Sequence, residues 1–259
     1  RNNLTSNQCA YNDAKSRIGA EVMNKYFLTS GNEARIKKAY ESRDPRLQMA
    51  VITPYAQYNG ASSGIAHTYT LRWPYRGSDS AEPFDIRTDT NDKFYYLWRK
   101  FVPEGLEQTE RDTYGLDIPL IRYAEVLLLK AEALNEWGST HESEAIRCVN
   151  EVRRRAGHVE LNNATYPATK VNGQSDLRER IRNEYYWEIG GEDSMYFHEL
   201  RWGTWKDKKF DNNRNGLMQM WGETTYTWYW LGDQCWSWPI PAKEMEMNSN
   251  LEQNEGWIN

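Results

Sequence analysis

The fold is decided by a stretch near the middle of the chain, DIPLIRYAEVLLLKAEALNEWG at residues 117–138. Apolar residues recur in it at intervals of three and four, namely Ile121, Ala124, Leu128 and Ala131. This spacing places them on one face of an α-helix. Glycine commonly ends a helix, and Gly138 directly follows the last periodic turn. The stretch therefore predicts an amphipathic helix that ends at Trp137.

A second helical pattern begins after the short turn at residues 139–141. Its apolar members are Ala145, Val149, Val152 and Ala156, and Gly157 ends it. Two helices of about four turns joined by a short turn form an antiparallel hairpin. Small alanines on both stripes allow close approach, as in a tetratricopeptide-like unit. Only one such unit is evident in the sequence, which predicts a helix pair and not a full solenoid.

Further helices are expected towards the C-terminus, at about 175–189, at about 192–202 and at 242–247. Ser175 or Asp176 is the expected cap of the first of them. Between the last two, the aromatic run at 224–230 has strand composition, and residues 235–238 are its expected partner. The sequence thus predicts a small β-hairpin late in the chain.

The N-terminal half has weaker patterns. An interrupted helical pattern covers residues 14–40, followed by a turn at 44–47 and a strand at 48–53 that Pro54 closes. Residues 54–114 are predicted to be irregular, apart from a short strand within 95–102. The expected fold is mainly α, with a tetratricopeptide-like helix pair, additional helices, long irregular loops and a small β-hairpin.

Composition narrows the function classes. The 259 residues have a mean hydropathy of -0.89 and a net charge of -5. No run of about 18 apolar residues exists, so no membrane span is expected, and an acidic chain gives no electrostatic reason to bind nucleic acid. The 12 Trp and 17 Tyr far outnumber the 6 Phe. Trp and Tyr combine a flat face with a polar edge and suit partly wet surfaces, although a large core with Trp at its rim would also use them.

No catalytic, metal or cofactor site is predicted. The three cysteines form no C-x-x-C pair, and Cys148 is expected to be a small core residue. The four histidines show no ligand spacing, and the acidic residues at 85–92 lack the spacing of a calcium loop. Glu184, Glu188 and Glu192 share one helix face and could be read as the paired carboxylates of a glycoside hydrolase. Such carboxylates must face each other across a cleft, so ion pairing with nearby arginines is preferred. The expected partners are Arg178, Arg180 and Arg182.

Four motifs together resemble the SusD/RagB family over residues 40–259. The first is Asp44-Pro45-Arg46-Leu47, and the second is the stretch Ile121-Arg122-Tyr123-Ala124-Glu125-Val126-Leu127-Leu128. The third runs from Arg182, Glu184 and Glu188 to Leu200-Arg201-Trp202. The fourth joins Trp238-Pro239-Ile240-Pro241 to Gln253-Asn254-Glu255-Gly256-Trp257. The chain departs from the family pattern at Gly190-Gly191, at His198-Glu199 and at Asn248-Ser249.

The resemblance implies a non-enzymatic nutrient-binding protein. The whole family protein is about twice this length, with more helix pairs on the N-terminal side, so the chain is expected to be a C-terminal part. Residues 1–116 would hold a helical start and a loop-rich ligand-binding region, and 117–259 the family's helical region, as one continuous domain. The resemblance also implies an oligosaccharide or peptide ligand, a SusC-like TonB-dependent transporter as partner, and lipid anchorage to the outer face of the outer membrane. The anchor would lie outside this chain, because Cys9 lacks a preceding apolar segment.

The ligand site is expected in the aromatic-rich loop region after residue 54. Sugar rings stack on aromatic faces, and their hydroxyls pair with planar polar side chains. A loop of this length is usually functional, and the family's loops after the first motif contribute to its ligand site. The candidate ligand-binding residues are Trp73, Tyr58, Tyr55, Tyr69, Tyr75, Arg72 and Asn59. The alternative is that Trp73 only pins the loop onto the helices. A second aromatic set is read more simply as one face of a packed strand: Trp221, Trp228, Trp230 and Trp236.

Overall fold

The computed structural model describes residues 38, 40–41, 43–53, 56–62, 65–71, 85–86, 97–105, 115, 117–192, 194–210 and 230–257. Nearly all of the predicted helical pattern at 14–40 lies outside these residues, as does the predicted strand at 224–229. The chain divides into two compact units, Arg1–Met195 and Tyr196–Asn259. Each unit is described by itself.

The first described element of unit 1 is a short helix, α1 (Pro45–Ala50), followed at once by β1 (Val51–Ile52). The predicted strand over 48–53 is therefore wrong for its first three residues. Asp44 caps the helix, because its carboxylate accepts a hydrogen bond from the backbone N–H of Arg46 at 2.9 Å. Pro45 occupies the first helical position, where its fixed φ suits a helix and its missing N–H costs nothing.

A β-hairpin occupies the start of the region that was predicted to be irregular. Strand β2 (Gln57–Ser62) pairs antiparallel with β3 (Ile65–Leu71). Strand β4 (Asp85–Ile86) adds to β3 in parallel, and β5 (Leu97–Trp98) pairs antiparallel with β1. The short strand predicted at 95–102 is confirmed at Leu97–Trp98 and wrong for residues 99–102, while residues 95–96 lie outside the described residues. The hairpin was missed because its strands contain many small and polar residues. Its larger apolar side chains all lie on one face.

A small core holds these strands together. Ile52, Tyr58 and Leu71 are buried, with Ala56, Tyr69 and Val102 packed against them. The three buried residues come from three different strands. Their burial therefore ties β1 to the hairpin through side chains, where no backbone ladder joins the two sheets.

The helix pair predicted from residues 117–157 is confirmed, except that Ile121 precedes the first helix and is exposed instead of joining its buried face. Helix α2 (Tyr123–Trp137) and helix α3 (Glu142–Arg155) are joined by a 3-10 turn at Ser139–His141. Gly138 caps α2 with φ 134°, which an L side chain rarely adopts. The facing stripes are fully buried, at Leu128, Ala131, Ala145, Cys148 and Val149. The expected core position of Cys148 is thereby confirmed.

Helix α4 (Gln174–Ile189) packs on both helices of the pair. Its inner face is Leu177, Ile181, Tyr185 and Ile189, all buried. Neither Ser175 nor Asp176 caps it, since the cap position is Gly173. Asp176 instead accepts hydrogen bonds from the backbone N–H of Asn172 and from the Arg180 guanidinium, both at 2.9 Å.

Helix α5 (Ser194–Arg201) confirms the helix expected at about 192–202, and residues 196–201 of it belong to unit 2. Unit 2 continues with α6 (Trp205–Phe210), a 3-10 turn at Asp233–Trp236 and α7 (Ala242–Met247). The predicted helix at 242–247 is confirmed. The predicted strand at 235–238 is wrong, because the 3-10 turn occupies its first half.

The C-terminal segment of unit 2 is fixed by side chains that bond to backbone. Gln253 exchanges two hydrogen bonds with the backbone of Ile240, at 2.7 and 2.9 Å. The Trp257 indole N–H donates to the carbonyls of Gln234 and Ser237. Gln253 and Trp257 both belong to the fourth motif, so this motif fixes the C-terminal segment against the backbone of residues 234–240. Among the described residues, none of the helices combines the length and apolar character that a membrane crossing requires.

Candidate functional site

Three of the seven candidate ligand residues lie on the hairpin. Tyr58 and Asn59 are on β2, and Tyr69 is on β3. The other four candidates lie outside the described residues, namely Tyr55, Arg72, Trp73 and Tyr75.

The hairpin register places the two tyrosines on one face and Asn59 on the other. Tyr58 pairs with Tyr69, and Asn59 pairs with Thr68. Because successive side chains of a strand point to opposite faces, Asn59 cannot share a face with either tyrosine. The three side chains therefore do not form one continuous surface on the hairpin.

Tyr58 belongs to the core and not to an open surface. It is 7% exposed, and its hydroxyl donates a hydrogen bond to the Pro103 carbonyl at 2.8 Å. Tyr69 is half-buried beside it, with its ring edge-on to His67 at 6.3 Å between centroids. Gly60 leaves the room that the Tyr69 ring needs, since a Cβ there would lie 2.7 Å from it. Of the two tyrosines, Tyr69 retains the accessible surface.

The opposite face of the hairpin exposes planar polar groups. The Asn59 side-chain oxygen accepts a hydrogen bond from the Thr68 hydroxyl at 3.1 Å. The Glu104 carboxylate accepts one from the Asn59 backbone N–H at 3.3 Å. Arg99 orients Glu104 through an ion pair of 2.6 Å. Amide, hydroxyl and carboxylate groups in this arrangement can hydrogen-bond to the hydroxyls of a sugar.

Trp98 is an exposed aromatic residue that the sequence did not single out as a site residue. Its side chain is 57% exposed on β5. Its ring lies against Gly191, where a Cβ would come within 2.7 Å. The sequence showed only that Trp98 lies in the aromatic-rich region. Its position is set by the pairing of β5 with β1, which joins residues far apart in the chain.

The three glutamates of the third motif lie in a buried ion-pair cluster. We call this set the motif cluster, and it consists of Asp44, Arg46, Lys100, Arg122, Arg153, Arg155, Glu184, Glu188 and Glu192. Glu184 is fully buried, with the guanidinium nitrogens of Arg46 and Arg153 at 2.7 and 2.8 Å. The first and third motifs therefore meet at Glu184.

Glu188 lies at the centre of the motif cluster. It is 4% exposed and contacts three guanidinium groups, from Arg155 at 2.6 Å, Arg122 at 2.9 Å and Arg46 at 3.1 Å. Arg122 also bonds to Glu192 at 2.7 Å, and Lys100 pairs with the same carboxylate. Arg122 belongs to the second motif, so three of the four motifs converge on these carboxylates.

Ion pairing of these glutamates is confirmed, but the predicted partners and the predicted exposed face are wrong. Arg178, Arg180 and Arg182 instead pair with Glu136, Asp176 and Glu179 respectively. The helical spacing correctly placed Glu184 and Glu188 on one face of α4, whereas Glu192 lies beyond the end of that helix at Ile189. That face turns inward, towards arginines that are 31 to 142 residues away in the chain.

The electrostatics of the motif cluster do not suit acid catalysis. Burial alone would raise the pKa of Glu188, but the hydrogen bonds from Arg122 and Arg46 hold that pKa below its ordinary value. A glycosidase acid must instead be protonated near neutral pH, which requires a raised pKa. Glu188 is therefore a structural carboxylate.

The second aromatic set is described only in part. The rings of Trp230 and Trp236 pack at 5.0 Å between centroids, and the Trp230 indole donates to Asp233. Trp221 and Trp228 lie outside the described residues. The contacts seen favour the structural interpretation of this set. Within the described ranges, no three His, Cys, Asp or Glu side chains come together as metal ligands would.

Comparison with known sequences identifies the family. The sequence model of the SusD family matches residues 2–257. The chain belongs to the SusD family. Among its curated relatives are SusD-like protein P38 of Formosa agariphila, 32% identical over 139 residues, and the starch-binding protein SusD of Bacteroides thetaiotaomicron, 28% identical over 161 residues. The matched segments cover 53% and 62% of this chain, but only 24% and 25% of those proteins.

Solved SusD-type structures share the fold. A SusD-like protein from Bacteroides fragilis aligns with a TM-score of 0.60 at 21% identity, over 87% of this chain and 41% of that one. A SusD homologue from Bacteroides thetaiotaomicron aligns with a TM-score of 0.55 at 22% identity, over 86% and 42%. In the curated relatives named above, by contrast, the matched segment spans only about a quarter of the protein's length.

Proposed function

We propose that this chain binds an extracellular oligosaccharide at the outer-membrane surface, for delivery to a SusC-like TonB-dependent transporter. The observation that carries the proposal is membership of the SusD family, in which one matched relative is a starch-binding protein. The protein would be held at the membrane by a lipid anchor. It would bind its ligand without chemical change, in keeping with the structural role of Glu188.

The proposed ligand surface is formed by the hairpin and the loop that follows it. Asn59 offers an exposed amide on one face, and Tyr69 offers part of an aromatic ring on the other. Tyr58 supports both from the core. The remaining candidates would be added by Tyr55, directly before the hairpin, and by Arg72, Trp73 and Tyr75 after it. Trp98 would supply a further exposed ring.

Isothermal titration with a panel of neutral and acidic oligosaccharides tests this proposal. Replacing Trp73→Ala is expected to weaken binding by about tenfold, because loss of a stacking face costs about 1 kcal/mol or more. Trp137→Ala is the matched control, since Trp137 is exposed on the helix pair and stacks on His141 at 4.3 Å. That control is expected to bind as the wild type does.

The same titration separates the alternatives. Binding of peptides without any oligosaccharide would replace the proposal with a peptide-uptake function of the RagB kind. Release of reducing sugar from a bound glycan would show a glycoside hydrolase. An equal loss of affinity in Trp73→Ala and Trp137→Ala would overturn the role of Trp73.

A further inference from the structure

A cavity of about 240 Å³ lies in unit 1 beside the Glu188 end of the motif cluster. The residues that line it include Lys100, Phe101, Arg122, Arg155, Trp187 and Glu188. Pockets for drug-sized ligands commonly measure about 300–1,000 Å³. The cavity is smaller, and its size suits one sugar ring.

The wall of the cavity is electropositive. Arg46, Lys100, Arg122 and Arg155 line it, whereas Glu188 is the one carboxylate among the lining residues that the structure describes. Behind the wall, the motif cluster as a whole holds five cations and four carboxylates. An anion that enters the cavity therefore meets an excess of positive charge.

Arg155 is the cation with donors to spare. The Lys100 ammonium donates three hydrogen bonds, to the backbone carbonyls of Glu188 and Gly190 and to the Glu192 carboxylate. All three side-chain nitrogens of Arg122 also donate hydrogen bonds. Arg155 donates to Glu188 through Nη2 alone, and its Nε and Nη1 donate to no residue that the structure describes. Its side chain is 60% exposed. Because Nε and Nη1 lie on different edges of the guanidinium, a carboxylate can accept a charge-assisted hydrogen bond from one of them at a time.

An aromatic ring stands beside these donors. Trp187 is 45% exposed and is held by the His158 ring, at 5.9 Å between centroids, and by the Arg153 guanidinium, at 5.9 Å. Phe101 lines the same cavity at φ 62°, a conformation that a bulky side chain keeps only where its surroundings enforce it. The cavity therefore combines a guanidinium that can donate hydrogen bonds to an anion with aromatic rings that a ligand can stack on.

We propose that this cavity binds a uronate, a sugar ring bearing a carboxylate, within the oligosaccharide that the protein takes up. The Arg155 guanidinium would hold the carboxylate through a charge-assisted hydrogen bond, and the Trp187 face would pack against the ring. The inference rests on the proposed function and narrows its substrate class to acidic glycans.

Titration of trigalacturonate, with its fully methyl-esterified form as the uncharged counterpart, tests the inference. Wild-type protein is expected to bind the acid at least about tenfold more tightly than the ester, as the loss of a charged hydrogen bond implies. Arg155→Gln is expected to remove that difference. Arg154→Gln is the matched control, because Arg154 is the adjacent residue of α3 and pairs with Glu160 on the surface at 2.8 Å.

Each outcome decides between the two proposals. Equal binding of acid and ester, with both bound, leaves oligosaccharide binding intact and overturns the uronate site. An acid preference that survives Arg155→Gln, or that falls equally in Arg154→Gln, also overturns it. Absence of binding to any oligosaccharide, charged or neutral, removes the proposed function and the inference together. Circular dichroism of each variant shows whether a loss reflects unfolding.

Discussion

At the scale of single residues, Glu188 is a buried carboxylate whose charge is compensated by ion pairs. Taking a carboxylate out of water costs several kcal/mol unless close partners and hydrogen bonds offset the loss. Three guanidinium groups within 3.1 Å provide that compensation. The arginines come from three separate parts of the chain, so this carboxylate joins α4 to α1, to α3 and to the residue that precedes α2. Its role is to fix how these elements meet.

Removal of the Glu188 charge is therefore expected to destabilise the fold. Glu188→Gln keeps the size of the side chain but removes the charge that three guanidinium groups share. The expected cost is about 1–3 kcal/mol, because Arg46 keeps Asp44 and Glu184 and Arg122 keeps Glu192. Urea denaturation followed by circular dichroism measures the loss. Glu179→Gln, which removes an exposed partner of Arg182 on the same helix, is expected to cost less than about 1 kcal/mol. Similar losses in the two variants would refute the structural role assigned to Glu188.

At the scale of elements, the ends of the helix pair depend on glycine. Gly138 adopts φ 134° and ψ 174°, a region open almost only to glycine, and Gly157 adopts φ 69° after α3. A Cβ at either position would meet no atom within 4 Å. The cost of a substitution would therefore come from the backbone conformation and not from a clash.

Gly138→Ala is expected to lower the free energy of unfolding by about 1–3 kcal/mol, because alanine is strained in that region. Gly157→Ala is expected to cost about 1 kcal/mol, since a single left-handed residue is a milder strain. Thermal denaturation of the two variants measures the difference. Ser139→Ala, next to Gly138, serves as the control for a change at the turn itself. A neutral Gly138→Ala would contradict the strained cap.

The elements also show where local sequence was informative and where it was not. The helix pair, β5 and α7 followed from periodicity, glycine and proline, which act within a few residues. Helix α1 was misread although its signal was present, since Asp44 followed by Pro45 is a cap and a first-turn proline. The hairpin of β2 and β3 was missed because its partner strands stabilise each other, and no single strand has a strong pattern of its own.

At the scale of the whole molecule, the motif cluster makes unit 1 sensitive to acid. Burial alone would raise the pKa of Asp44, but its hydrogen bonds with Arg46 lower it, and the pKa of Glu188 is lowered for the corresponding reason. A carboxyl group with a lowered folded pKa contributes stability above its unfolded pKa, and this contribution is lost as the pH falls through the folded pKa.

The free energy of unfolding is therefore expected to be constant near neutral pH and to fall once the pH drops below about 4.5, the ordinary pKa of a glutamate. Urea denaturation at a series of pH values measures this slope. Glu188→Gln is expected to flatten it, since a buried carboxyl group with a lowered pKa is gone. An unchanged slope in that variant would assign the acid sensitivity to other groups.

The sequence by itself determined the helix pair, the end of its first helix at Trp137 and the family, because periodicity, caps and motifs are properties of neighbouring residues. Only the tertiary structure decided which arginines meet Glu184 and Glu188, that Tyr58 is buried while Asn59 is exposed, and that Arg155 and Trp187 share a cavity. Those relations join residues tens to more than a hundred positions apart, and they depend on how the chain is folded back on itself. Burial and charge compensation are properties of that packing, so no local pattern contains them.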